Sequence, residues 1–442
     1  MADRPSPHIS LEKRMLNTSA AISFKFFFFL IVLMITEIDT NACTRRIIVS
    51  NTKTWTDQFT SVNTTYILNN EYDLNGTVLT IPKNSCLVFE GGRIINGTVQ
   101  GNNTIVEAGR VCLFKNVTIS GKWRNKTVYS EWLDFVEGER IDNSRNFMNL
   151  MVLCNGDSMT HLFMQSGVFF CSVAKESSFI QVPSNVYWHN SATIQQLPTS
   201  LQKYSLVLIK QASYVTIDGG EFIGDVRAHL GNEGEWGHGI KVAGSTNVTL
   251  KNLVSKEFWG DGIDLIEANY VSSISAGVGI CNNIKLDNVK CLYNRRQGIS
   301  IEAARNVSIS NSEFAYTGKY KMTEPGCGVD IEPWCNNEHK IENIRFENCD
   351  IHHNNPQRDF CVEANLQYYL RSDNHAVEPA NRIVVNNCRV GKLYILRASQ
   401  VSFNNCEIDD VTRVLGKRVT MTGCVLKERS GIESSKGLTI KR

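Results

Sequence analysis

Proline is scarce, with nine residues in 442, and neither sign of charge dominates: 46 Lys+Arg stand against 44 Asp+Glu, for a formal net charge of +2. With 42% hydrophobic residues, that balance excludes a disordered or collagen-like chain and a protein whose overall field would draw in a nucleic acid. Any charge-based recognition must come from a local cluster. No CxxC pair and no Cys/His spacing set occurs among the 14 cysteines, which argues against structural zinc. No EF-hand spacing is present either. Long apolar runs are missing apart from one of ten residues, 26–35, too short to span a bilayer comfortably.

That run follows Lys25 and precedes the small residues Thr40-Asn41-Ala42. Residues 1–42 therefore read as a secretory signal peptide, with Met15 a more ordinary start than Met1. Glu37 and Asp39 separate the run from Cys43, and Thr-Asn-Ala is a poor lipobox, so plain secretion is favoured over a lipid anchor at Cys43. The mature chain is expected outside the cytoplasm, secreted or in the cell envelope, with no stable membrane span after signal cleavage.

What the chain has in abundance is a short repeat. Apolar-polar-apolar triplets recur at Val215, Val248, Ile284, Val307, Ile344, Ile383, Val401 and Val419, each alternating with period two as a half-buried strand does. After most of them comes Asn or Gly, as in Lys251-Asn252-Leu253, Asp287-Asn288-Val289, Asn404-Asn405-Cys406 and Thr422-Gly423-Cys424. These residues tolerate left-handed backbone angles and let a strand bend. A third alternating segment follows several copies: Gly239-Ile240-Lys241-Val242, Gly262-Ile263-Asp264-Leu265, Gly298-Ile299-Ser300-Ile301, Gly328-Val329-Asp330-Ile331 and Cys361-Val362-Glu363-Ala364. Strand, bend, strand, turn, strand, recurring every 18 residues at its tightest, describes one coil of a parallel β-helix.

The pattern resembles the right-handed parallel β-helix proteins of the pectate-lyase-like superfamily (the pectin lyase fold), strongly over residues 213–442. The expected fold is thus all-β, a right-handed parallel β-helix solenoid over residues 129–442 with an amino-terminal β-helical extension over 43–128. Helical spacing of Phe147, Leu150, Met151 and Leu153 after Asp142, a candidate N-cap, predicts a short capping helix near 142–154 that covers an open strand edge. Cys349, Cys388, Cys406 and Cys424 share the slot of Leu253 and Val289, which predicts mainly buried thiols.

Aligning the third segments places Lys241, Asp264, Ser300, Asp330 and Glu363 in one outward column, and Glu302, Glu332 and Asn365 in a second. His238, Asp261, Gln297 and Cys327 precede the strand glycines. Like charges stacked on neighbouring rungs repel and raise one another's pKa, so such a cluster is costly unless it binds or shares protons. Asp261, Asp264 and Asp330 are the principal acid/base candidates, with Glu302, Glu332 and Glu363 close behind. Trp236, Trp259 and Trp334 are candidate sugar-stacking surfaces; His238, Lys241, Arg295, Arg296 and His352 are candidate polar contacts to substrate.

A pair of carboxyl groups suits glycoside hydrolysis, and Asp261-Gly262-Ile263-Asp264 looks like part of the Asn-Thr-Asp-Gly-Ile-Asp motif of polygalacturonase-type hydrolases. Where that family places paired aspartates on the next coil, this chain has Arg295-Arg296-Gln297-Gly298. The expectation is a secreted protein acting on a polysaccharide, with hydrolysis ahead of two alternatives. One is a polysaccharide lyase eliminating across a uronate, for which Ca²⁺ could be held by Asp264, Asp330, Glu332 and Glu363 and a proton taken by Lys241, Arg295 or His352. The other is a non-catalytic glycan-binding or adhesion protein. No cofactor is required by the sequence, no nucleic-acid partner is expected, and the oligomeric state is left open.

Overall fold

The structure is a computed structural model and describes residues 45–138, 140–173, 180–268, 279–333, 341–355, 358–363, 380–396, 398–432 and 436–441. The leader 1–42, Cys43, Trp334 and Asn365 lie outside them. No helix among the described residues is long and apolar enough to cross a membrane.

The protein is a parallel β-helix. Every pairing between its strands is parallel, in a seven-stranded set from Arg45–Ile48 to Phe114–Trp123 and a 25-stranded set from Thr127–Tyr129 to Leu438–Lys441. The triplets stack in one register: Val215 pairs with Val248, then Ile284, Val307, Ile344, Ile383, Val401 and Val419. All eight are buried, because the period-two alternation points one residue in two into a continuous apolar core. Six successive coils turn this corner on Asn: Asn252, Asn288, Asn311, Asn348, Asn387 and Asn405 hold φ between 52° and 55°, the left-handed region that a short polar side chain tolerates best. Their carboxamides also bond along the stack, as from Asn288 to Asn252 at 3.0 Å.

Ten of the twelve described cysteines are buried, and all twelve are free thiols. Cys349, Cys388, Cys406 and Cys424 continue the stacked slot of Leu253 and Val289; burial there is set by the rung, not by a cross-link.

The capping helix runs over Ser144–Leu153 with Asn143 at the N-cap position. Asp142 does not hold that position, though its carboxylate accepts the Ser144 N–H at 2.9 Å. The helix meets the strand Phe114–Trp123 through Asn149, whose side chain accepts from Ile119 N at 2.9 Å and donates to Val117 O at 2.8 Å. One carboxamide thereby replaces the backbone of a missing neighbouring strand.

The third strand of each coil carries the candidate site, and its shape comes from a stack of glycines. No pair forms at Gly239 or between Gly262 and Gly298, and the residue before the glycine and the one two after it, as with Asp261 and Asp264, bear on the same cluster, while the intervening Ile240, Ile263 and Ile299 are buried in the core. A Cβ on Gly262 would lie 2.5 Å from Asn294 Nδ2 and 2.7 Å from the Gly298 carbonyl oxygen. Asn294 is buried and bonds Phe258 N and Ser255 O at the corner, so it cannot move aside cheaply. Gly262→Ala is therefore expected to destabilise the protein by about 1–3 kcal/mol, read as a lower urea midpoint with an unchanged slope; an unshifted midpoint would show that the corner yields.

Candidate functional site

Four adjacent third strands, Trp236–Ala243, Asp261–Ile266, Gln297–Ile301 and Val329–Ile331, continue into Phe360–Val362. Along one outward column Lys241 pairs with Asp264, Asp264 with Ser300, Ser300 with Asp330, and Asp330 with Cys361. Cys361, not Glu363, stands beside Asp330, which corrects the alignment expected from sequence by two residues. A shift of two leaves inward and outward faces unchanged, so the hydrophobic pattern cannot detect it; the bulk of Phe360 in the core, fully buried, decides it. Glu363 moves to the end of a second column, Glu302, Glu332, Glu363, whose backbone N–H groups bond Leu265 O, Ile301 O and Ile331 O in turn.

The aspartates form the floor of the cluster. Asp261 is fully buried; its Oδ2 accepts from Arg296 at 3.1 Å and Ser300 at 2.9 Å, and His238 Nδ1 lies 3.3 Å away. Burial pushes its pKa up, but Arg296, His238 and Ser300 outweigh burial and hold the carboxyl below its ordinary value. Asp264, also buried, sits 3.0 Å from Lys241 Nζ and 3.7 Å from His238 Nε2, while its Oδ1 has no hydrogen-bond partner. Asp330 accepts from Gln297 Nε2 at 2.5 Å, and its Oδ1 is likewise unpartnered. Burial first, then Glu332 and Glu363, drive Asp330 well above the carboxylate range.

Above this floor the glutamates keep access to solvent. Glu302 is half-buried, yet protein encloses it enough that burial, followed by Asp264 and Glu332, raises its pKa well above normal. Glu332 is raised too, by burial, with Arg296 opposing and Glu363 adding; its carboxylate meets Arg296 NH2 at 3.3 Å. Glu363 accepts from Arg358 at 2.9 Å. Lys241 and Arg296 stay protonated: burial disfavours their charge, but Asp264 with Glu302, and Asp261 with Glu332, more than restore it.

Six carboxyl groups thus face three cations, Lys241, Arg296 and Arg358, and three of the six, Glu302, Asp330 and Glu332, have raised pKa values. A floor acid kept neutral in the fold costs stability wherever the unfolded chain would ionise it. Because the folded pKa of Asp330 is raised, its contribution is complete below the unfolded value and is lost as pH rises toward the folded one. Asp330→Asn, which can still accept from Gln297, is expected to stabilise the protein by about 0.5–2 kcal/mol at pH 7 and to leave it unchanged near pH 4. Urea unfolding at both values checks this, and equal effects at the two would remove the titration argument.

Three candidate contacts stand apart from the cluster. Trp259 is fully buried, with the His229 ring stacked on it at 3.8 Å and the Arg295 guanidinium over it at 3.9 Å. Both faces are taken, so it offers none to a sugar. Arg295 is spent on three carbonyls, of Lys321, Gly234 and Trp259, and ties loops together. His352 lies on the strand Asp350–His352 of a different sheet, 2.6 Å from His353 and 3.5 Å from both Glu313 and Asp350. Trp236, by contrast, is 47% exposed on the strand that carries His238.

Gln297, Ser300, Arg358 and Glu235 were not candidates from sequence, yet the first three bond site carboxylates directly, and Glu235 lies 3.7 Å from Arg296. Arg358 occupies the slot of His238 and Asp261, three coils beyond Asp261, which the two-residue misalignment concealed. Among the described residues no group of three or more His, Cys, Asp or Glu side chains is placed to hold a metal ion. Ca²⁺ therefore enters no step below.

No protein-family model matches the chain. Two curated Bacillus subtilis proteins are similar over part of it: uncharacterized protein YclG, 27% identical over 161 residues, 35% of this chain and 27% of that protein, and the SPbeta prophage-derived uncharacterized protein YorA, 25% identical over 172 residues, 37% and 29%. The chain spans less than a third of the length of these curated relatives. Among solved structures, the tailspike protein gp49 of Acinetobacter baumannii bacteriophage Fri1, a capsular polysaccharide depolymerase, is 15% identical with a TM-score of 0.48 over 71% of this chain and 57% of that one. The A-module of Azotobacter vinelandii mannuronan C-5 epimerase AlgE4 is 10% identical, TM-score 0.45, over 71% and 91%. A Yersinia enterocolitica family 28 exopolygalacturonase is 9% identical, TM-score 0.37, over 90% and 78%. At these identities the likeness is one of architecture, the parallel β-helix that the strand pairing of this chain already displays.

Proposed function

We propose that the protein is a secreted carbohydrate-active enzyme, a glycoside hydrolase that cleaves a polysaccharide lying across the row Glu302, Glu332, Glu363. The observation that carries this reading is an asymmetry along a solvent-facing row of three glutamates on successive rungs. Burial, then Asp264 and Glu332, raise the pKa of Glu302 well above its ordinary value, while Glu363, two rungs away, is ion-paired with Arg358 at 2.9 Å. Hydrolysis needs one carboxylic acid to protonate the leaving oxygen and one carboxylate to activate water or attack. Two rungs amount to about 9.5 Å, at the upper end of the separation that leaves room for a water and inverts the anomeric centre.

In this mechanism Glu302 donates its proton to the glycosidic oxygen and Glu363 takes one from the attacking water. Glu332, between them and bound to Arg296, faces the charge that develops on the sugar ring. The buried aspartates do not touch substrate; they set the protonation of the row above. On this reading the accessible glutamates, close alternates from sequence, take the catalytic roles ahead of the buried aspartates. Trp236, exposed at the edge of the same surface, is the ring available to stack on a sugar.

Lys241, ion-paired with the buried Asp264 at 3.0 Å, which raises its pKa, is poorly suited as the base that elimination would need. Incubating the mature protein with a panel of neutral and uronate-rich polysaccharides, with and without Ca²⁺, while following reducing ends and unsaturated-product absorbance together, tests the reading. Reducing ends without absorbance support hydrolysis; absorbance identifies a lyase; binding without either signal makes the protein a non-catalytic glycan binder.

A further inference from the structure

A second surface, on the sheet formed by the triplets and away from the carboxylate row, has the opposite character. A depression of about 550 Å³ there is lined by Asn343, Arg345, Arg382, Gln400, Ser402 and Arg418, among others. We propose that it is a binding site for an anionic polysaccharide, engaging the carboxylate or sulfate groups of an extended chain. The proposal stands independently of hydrolysis at the glutamate row.

The corner column that leads into this surface has Tyr214 at φ 59° and then an asparagine ladder over four coils. Asn247, Asn283, Asn306 and Asn343 all hold φ between 54° and 59°. Asn283 donates to Asn247 at 2.5 Å, Asn306 to Asn282 at 2.8 Å, and Asn343 to Asn306 at 3.0 Å. On the next three coils the same register position passes to Arg382, Gln400 and Arg418, by the pairing of Ile344 with Ile383, Val401 and Val419. Their φ values are 57°, 57° and 55°. Arg and Gln are disfavoured in that region, and the asparagine ladder that repays it elsewhere is not continued here. A residue held where the backbone resists it, with its local return removed, points to a role beyond the fold.

The charges are displayed, not buried in structure. Arg345 and Arg382 are 59% and 50% exposed at their side chains, and Arg418 is exposed. Arg345 pairs with Glu347 at 2.9 Å and Arg382 with Glu342. Exposed pairs of this kind are worth little and exchange readily for a ligand's anion. Arg418 has no ion-pair partner among the described residues. Arg382 and Arg418 stand two rungs apart, about 9.5 Å, with Gln400 between them and the hydroxyls of Ser402 and Thr420 alongside. A line of guanidinium groups separated by neutral donors matches a polymer with regularly spaced anions, because each guanidinium can grip a carboxylate or sulfate with two N–H groups.

The test is titration calorimetry at low salt with a hexauronate, its neutral methyl ester and a sulfated neutral hexamer. The wild-type chain is expected to bind at least one of the anionic hexamers, and the stronger of the two identifies the anion. Arg382→Gln/Arg418→Gln should weaken that binding about tenfold or more, the loss of roughly one charged hydrogen bond. Arg382→Lys/Arg418→Lys, which keeps the charge, should retain more of it. Glu302→Gln should bind as wild type does, which separates this surface from the glutamate row. No binding of either anionic hexamer, equal binding of the methyl ester, an unchanged affinity in the Gln double variant with its fold intact, or loss of binding in Glu302→Gln would each overturn the proposal.

Discussion

Glu302→Gln and Glu363→Gln are each expected to lower kcat by about 10²–10⁴-fold while leaving the fold intact, since both side chains reach solvent and neither belongs to the apolar core. The two losses should differ in kind. Glu302 serves in its protonated form, so activity limited by it falls as pH rises through its raised pKa, and that alkaline limb should vanish from whatever activity Glu302→Gln retains. A substrate with a good leaving group needs no acid and should restore much of the rate of Glu302→Gln but not that of Glu363→Gln. Product stereochemistry followed by NMR adds a geometric check: the two-rung separation requires inversion. Retention would reassign the pair to Glu302 and Glu332 on adjacent rungs, and full activity in Glu302→Gln would end the proposed mechanism.

Arg296→Met is expected to be the most damaging single change to stability, by about 3–5 kcal/mol at pH 7. Arg296 is buried against Asp261 and Glu332. Its loss leaves Asp261, with no solvent access, as a buried carboxylate supported only by Ser300 and His238. Because Arg296 and its neighbours hold the folded pKa of Asp261 below its ordinary value, the stability Asp261 contributes is present above the unfolded carboxylate pKa and is lost as pH falls through the folded one. The gap between wild type and Arg296→Met should therefore narrow on acidification. Asp261→Asn/Arg296→Met removes the stranded charge along with its partner and should recover part of the loss, and denaturant unfolding of the four proteins in the cycle measures the coupling. A cycle in which the two substitutions simply add would show that the pair is not the element holding this floor together.

Both expectations depend on groups whose importance was unevenly visible in the chain. Asp261, Asp264, Asp330, Glu302 and Glu332 were legible as a cluster because each follows or precedes a glycine or an apolar residue in a repeat whose period is set by stacking. Arg296 was legible as a charge near them, but not as the group that ionises Asp261. Arg358 and the true place of Glu363 were hidden, because a slip of two residues preserves the alternation from which register is inferred. Trp259 read as a sugar platform for want of any signal that His229 and Arg295 would cover its faces.

The amino-acid sequence alone determined the parallel β-helix, the positions of its corners and the outward placement of its carboxyl groups, since these follow from local alternation and from the backbone freedom of Asn and Gly repeated over many coils. Tertiary structure alone decided which carboxyl groups are floor and which are surface, which of them have raised pKa values, and that the arginines along one corner line an open groove. Accessibility, proton sharing and charge pairing depend on distances between residues some 20 to 40 positions apart in the chain, and those distances exist only once the coils are stacked.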